Sequence, residues 1–249
     1  MNILHSPGLF RSFCSPLPLL FPILILSSGC EGETGQAQSA DLPATNNAPA
    51  QPQDAFDLSA LGVDEGSVMT SVIGIIDFSD FGCVYCANFH SDDYPVLYEE
   101  FVLTGEVLWK YVPISIGGFP NGDLAAVTGI CAHELGSTGG FAVMRDHLFA
   151  QRDEWLSANP SSARELFMSY AETLNLNIDA FSACIDGEQA VERLERNNAM
   201  ARQVGVTATP TFIVQGSSVR GAPPLADFQS VLRRIIAESH GERPPQPRL

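Results

Sequence analysis

Two cysteines separated by two residues, Cys83 and Cys86, stand in the stretch "DFSDFGCVYCANFH", directly after an apolar run. A pair so spaced can be a structural clasp, half of a metal site or a redox couple. As a clasp it is weak, because a disulfide closing over two residues constrains the unfolded chain little. As zinc ligands the pair needs a second pair of similar spacing. The nearest candidates, Cys131 and His133 of "CAHE", are alternate residues of a predicted helix and do not share a face. His90 and His147 are single histidines on helical stretches, read as surface or packing residues rather than ligands. The redox reading has a physical basis. If Cys83 opens a helix, the unpaired N–H groups and partial positive charge there stabilise its thiolate. Cys83 is then the exposed attacking sulfur. Cys86, one turn further in and on the same face, is placed to displace a mixed disulfide.

The elements that must hold this pair are legible around it. "SVIGIIDF" at 71–78 is an apolar, β-branched run of strand length, predicting a central strand buried on both faces. A helix should follow from Cys83, with Phe89, Leu97, Tyr98 and Phe101 apolar and Pro95 as a kink. "VLWKYVPI" at 107–114 predicts a second strand, giving the βαβ pattern of an α/β domain. Residues 123–200 change character: "LAAVTGICAHEL", "FAVMRDHLFAQ", "SARELFMSYAETL" and "DAFSACIDGEQAVERLERNNAMARQV" show helical spacing, a helical block inserted into the α/β domain. "TFIV" is then a strand, and "SSVRGAPP" a short strand or turn. In the closing helix Phe228, Val231, Leu232, Ile235 and Ile236 form one apolar stripe.

The 249 residues, 45% hydrophobic, allow one large folded domain. With 13 Lys plus Arg against 29 Asp plus Glu the net charge is -16, which repels a phosphate backbone. The clustered basics Arg233 and Arg234 read as a solvated helix face, so nucleic acid is excluded as a partner. Residues 1–30 read as an export segment, with "LPLLFPILIL" broken by Pro18 and Pro22, followed by "SSGC". Small residues ending on Cys30 resemble a bacterial lipoprotein signal in which Cys30 is lipidated; ordinary cleavage or an uncleaved anchor are the alternatives. Residues 31–57, polar and rich in Ala, Gln and Pro, read as a disordered tether, and 241–249 as a disordered tail. Cys14 and Cys30 belong to the export segment, which leaves four cysteines to the folded part, an even number suited to an oxidising compartment.

Together "IIDFSDFGCVYC", the helical insertion, "GVTATPTFIV" and "VRGAPPLADFQSVLRRI" resemble the DsbA-like thiol:disulfide oxidoreductases of the thioredoxin superfamily, of the DsbA/DsbG type, over roughly residues 58–240. The resemblance implies a thioredoxin fold with an inserted helical domain, Cys83 as nucleophile and Cys86 as resolving thiol. It matches Thr209-Pro210 to the family's cis-proline loop beside the disulfide. It matches Asp77 to a buried acid that assists proton transfer at the resolving cysteine, a strand-end aspartate being the plainer reading. Cys131 and Cys184, at the two ends of the helical block, have counterparts bonded in parts of the family. A disulfide there would contribute about 4 to 5 kcal/mol in the chain-entropy model, and two separate buried thiols stay open as the alternative.

The dipeptide Val84-Tyr85 lacks the histidine of the strongly oxidising members, so oxidase, reductase and isomerase directions all stay open. Tyr85 and Thr209 are more like DsbC and DsbG, yet the chain shows no N-terminal dimerisation domain, and a monomer is expected. The resemblance implies no metal or organic cofactor, cysteine-containing envelope proteins as substrates, and a membrane redox partner of DsbB or DsbD type. It places the protein, lipid-tethered, in the periplasm or cell envelope. The rival from another class is a copper or zinc carrier using Cys83 and Cys86 as soft ligands.

Overall fold

The structure, a computed structural model, describes residues 61–241. The export segment with Cys14 and Cys30, the tether 31–57 and residues 242–249 of the tail lie outside the described residues. Five strands form one mixed sheet in the order β1-β3-β2-β4-β5. They are β1 (Val63–Glu65), β2 (Ile73–Ser79), β3 (Val107–Pro113), β4 (Thr211–Val214) and β5 (Ser217–Arg220). β2 runs parallel to β3 through a helical crossover, and β4 pairs with its other side antiparallel. β2 is therefore central, as predicted, but not fully covered: Gly74 is exposed and Ile76 half-buried. The three-residue β1, antiparallel to β3, has no counterpart in the sequence reading. Nothing in "VDE" alternates or runs long enough to announce a strand.

The crossover helix α1 spans residues 84–102 and alternates α-helical turns (Val84–Asn88, Tyr94–Leu97) with π-helical ones (Phe89–Asp93, Tyr98–Val102). Pro95 lies in its middle. Lacking an N–H, it cannot bond the carbonyl four residues back, and the wider turn just before it takes up the mismatch. Within that turn the consecutive side chains Phe89 and His90 are both buried.

The insertion comprises α2 (Gly122–Ala150), α3 (Arg152–Ser157), α4 (Pro160–Thr173), α5 (Ile178–Ile185) and α6 (Glu188–Gln203). α2 joins two predicted helical stretches across "GSTGG", where only Ser137 leaves helical geometry. α4 and α5 start on Asn159 and Asn177, whose side chains accept backbone N–H bonds from Ser162 and Ala180. Cys131 of α2 is bonded to Cys184 of α5, 53 residues away.

The closing helix α7 (Leu225–Ser239) and α1 cover one face of the sheet, where Phe89, Leu97, Trp109, Phe212, Phe228 and Leu232 share a core. Val231 departs from the expected stripe and stays 38% exposed, at the edge of a face wider than the contact. Ala201 of α6 and Val206 pack on the opposite face with Phe78, Val112 and Ile114. A third core fills the insertion and reaches Phe81, Cys83, Cys86 and Tyr111 at the C-terminal ends of β2 and β3. The two cysteines thus sit where the insertion meets the sheet.

Candidate redox site

The chain leaves β2 at Ser79 and turns through Asp80, Phe81 and Gly82 before Cys83 opens α1 in an extended conformation (φ -83°, ψ 122°). Asp80 shapes this turn. Its Oδ1 accepts from the Gly82 N–H at 2.9 Å, and its carbonyl oxygen accepts from the Cys83 N–H at 3.0 Å. Its Oδ2 accepts from the N–H groups of Ile116 and Gly117 at 3.1 and 3.2 Å, so one buried carboxylate ties the loop after β3 to the cysteine loop. Burial pushes the Asp80 carboxyl up, the three N–H groups oppose this, and the charge of Cys83 adds to the rise. The Phe119 ring packs against both Gly82 and Gly117, where any Cβ would overlap it. Arg152 Nε donates to the Gly82 carbonyl oxygen at 2.8 Å.

Cys83 and Cys86 are both free thiols. The Cys83 thiol is lowered to about 5, first by the hydrogen bond from Cys86, then by the Thr209 hydroxyl and the N–H groups of Cys86 and Tyr85, with burial acting the other way. Cys86, fully buried, is pushed well up by desolvation, then by the Cys83 sulfur, and further by the charge of Asp77. The environments thus split two identical side chains into a ready thiolate and a retained thiol, the division of labour that thiol exchange requires. One expectation is corrected: Cys83 is only 6% exposed, because the loop carrying Thr209 lies against its sulfur. Val84 and Tyr85, by contrast, are well exposed beside it.

Thr209 and Pro210 reach the pair across the sheet, as the residues before β4. The Cys83 Sγ lies 3.3 Å from the Thr209 carbonyl oxygen, to which it donates while it holds its proton, and the Thr209–Pro210 bond is cis. Asp77, on β2, is fully buried. It accepts hydrogen bonds from Ser79 Oγ at 2.6 Å and Trp109 Nε1 at 3.3 Å. His90 Nε2 stands 3.0 Å from its Oδ2, an ion-pair distance at which the ring is not aligned for a straight hydrogen bond.

The fold therefore brings Cys83, Cys86, Asp77, Thr209 and Pro210 to one end of the sheet. Cys131 and Cys184 are consumed by their own bond, so Cys131 is not available as a metal ligand. Among the described residues no group of three or more His, Cys, Asp or Glu side chains forms a metal cluster. Sequence reasoning missed Asp80 and the approach of His90 to Asp77. An Asp three residues before a helix-opening Cys was the available sign of the first, since Asp favours turns that bond its own backbone. His90 read as packing, and it does pack, 5.0 Å from Phe149 with the rings stacked; the acid it faces is thirteen positions away and carries no local signal.

Residues 66–234 match the family model described as thioredoxin. Among curated proteins the chain is 29% identical to an Na(+)/H(+) antiporter NhaA of Herminiimonas arsenicoxydans over 83% of its own length but only 29% of that protein. It is 23% identical to disulfide bond formation protein D of Bacillus subtilis (strain 168), over 73% of this chain and 77% of that one. Among solved structures, alpha-DsbA1 of Wolbachia pipientis superposes with a TM-score of 0.62 at 21% identity, covering 72% of this chain and 92% of that chain. That last likeness is one of fold.

Proposed function

This chain belongs to the thioredoxin family, and from that premise we propose that it is a thiol:disulfide oxidoreductase of DsbA type, acting outside the cytoplasm on cysteine-containing envelope proteins. The observation that carries the proposal is the split between the cysteines, with Cys83 lowered to about 5 and Cys86 held protonated behind it. A stabilised Cys83 thiolate favours the reduced enzyme and so makes the disulfide form an oxidant. This supports the oxidase direction over reductase or isomerase, despite the Val84-Tyr85 dipeptide. In that direction a substrate thiolate attacks Cys83, Cys86 leaves, and a second substrate thiol releases the reduced enzyme. The name of the Bacillus subtilis relative supports the reading; the antiporter's is not carried over, since the chain spans 29% of that protein. Reoxidation would fall to a membrane partner of DsbB type, and Cys30 would hold the domain to a membrane through its lipid.

The test is the reduction potential of the Cys83/Cys86 couple in glutathione buffers, read by thiol alkylation. The expected value lies nearer about -120 mV than about -270 mV; a value at or below the latter would make the protein a reductase. Cys83→Ala should abolish dithiol oxidation, and retained turnover would remove the mechanism. Cys86→Ala should accumulate mixed disulfides with envelope proteins.

A further inference from the structure

Beside the redox pair, α1 and the second half of α2 border a half-open cavity of about 740 Å³ that the exchange chemistry above does not use. His90, Glu65, Tyr94, Arg145 and Phe149 are among its lining residues. Of their side chains, that of His90 approaches Asp77 of the redox site, at 3.0 Å. Its ring is almost fully buried, and its Nδ1 has no hydrogen-bond partner among the described residues. A buried polar atom without a partner is costly, and its persistence asks for a use.

We propose that the sequence Cys86, Asp77, His90 and this cavity is the route by which the buried Cys86 sulfur exchanges its proton with solvent. The inference rests on the exchange reading above and assigns His90 as a positioning and proton-passing residue within it. When a substrate thiolate attacks Sγ of Cys83, a substrate–Cys83 bond forms and the Cys83–Cys86 bond breaks. The electron pair leaves on Cys86. That thiolate draws its proton through the Asp77 carboxylate, which takes it from Nε2–H of His90 as it gives it up, and Nδ1, closed off from solvent in the resting structure, takes one from water reaching it from the cavity. Reoxidation by the membrane partner returns the proton along the same path, which resets the ring.

The groups facing His90 suit this use. Asp77 of β2 approaches Nε2, Tyr111 of β3 and Tyr94 of α1 lie ring to ring at 5.1 and 5.0 Å, and Phe149 of α2 stacks on it. Arg145 of α2 is held by Glu65 of β1 and by Asp146, so its charge is neutralised near the ring. Burial pushes the imidazolium of His90 down, against the pull of Asp77, so the ring rests neutral. A neutral ring can pass a proton through its two nitrogens without leaving a charge behind.

Chemical rescue in the full chain tests the path. His90→Ala opens space contiguous with a cavity that admits free imidazole, whereas His90→Gln fills the place without relaying. Both variants should oxidise a model dithiol peptide at least about tenfold more slowly than the parent, while iodoacetamide alkylates Cys83 at the parental rate. Millimolar imidazole should restore most of the loss in His90→Ala and none in His90→Gln. Equal rates in His90→Gln and the parent across pH 5 to 8 would overturn the route, as would slowing of His90→Ala that imidazole leaves untouched. Should His90→Ala fail to fold, the solvent deuterium isotope effect on dithiol oxidation by the parent decides: a clear slowing is expected, and none overturns the route. A parent that oxidises no dithiol sinks the exchange reading and the route together; an active parent with indifferent variants sinks the route alone.

Discussion

The Sγ of Cys83 lies 3.3 Å from the carbonyl oxygen of Thr209, a residue 126 positions away in the chain. The contact joins the first turn of α1 to the start of β4, two elements whose neighbouring strands pair side by side. It places the reactive sulfur beside a backbone edge. On the proposed exchange, a substrate reaching that sulfur should meet the Thr209 main chain at the same time.

Thr209 acts on the sulfur through its hydroxyl as well, which helps hold the Cys83 thiol down. Thr209→Val keeps shape and main chain but removes that hydrogen bond. The midpoint of Cys83 alkylation against pH should therefore rise, and the disulfide should become a weaker oxidant. An unchanged midpoint would leave Cys86 and the helix N–H groups as the whole source of the shift.

The pH dependence of the reduced protein follows from the same thiol. Cys83 titrates near about 5 when folded and near about 8.5 when unfolded. A depressed acid contributes stability above its unfolded value and loses it as pH falls through the folded one. Between pH 8 and pH 5 the advantage of reduced parent over reduced Cys83→Ser in urea unfolding should shrink progressively, and below pH 5 it should be gone. The range stops at pH 8 because Cys86, raised when folded, brings an opposing slope above it.

What the sequence made legible divides by distance along the chain. The strands around Cys83, the helix it opens and the apolar side of α7 are local patterns, and "TFIV" coincides with β4. Asp77 and Thr209 were found through resemblance, since neither spacing nor composition links them to the pair. The Asp77–His90 approach depends on how a proline-displaced helix lies over a strand, and the Asp80 tie to Ile116 and Gly117 on where two loops meet. Those are tertiary facts. The burial of Cys83 is another, for the helix pattern exposes its first residue, whereas the Thr209 loop and the insertion core lie against it.

The bond between Cys131 and Cys184 closes a span of 53 residues within the insertion. Replacing both by Ala should lower urea-unfolding stability by about 4 kcal/mol on the chain-entropy account. The potential of the Cys83/Cys86 couple should stay where it was, because the bond makes no hydrogen bond to that pair. A shifted potential would mean that α2 and α5 transmit strain to the redox loop.

Asp80 offers the sharpest separation of architecture from chemistry. Its carboxylate serves three backbone N–H groups in two loops, and its own buried charge opposes a thiolate on Cys83. Asp80→Ala leaves those donors without their acceptor, at a cost of about 1–3 kcal/mol for the buried Gly82 N–H and less for Ile116 and Gly117, which water can reach. It also removes a negative charge beside the sulfur, which by itself should move the alkylation midpoint of Cys83 below its parental value. If stability falls and the midpoint falls with it, the carboxylate both holds the loops and restrains the nucleophile. If the midpoint rises instead, the loops have relaxed, and the lost alignment of N–H groups on Cys83 outweighs the lost charge. Urea unfolding and pH-dependent alkylation on the same variant distinguish the two.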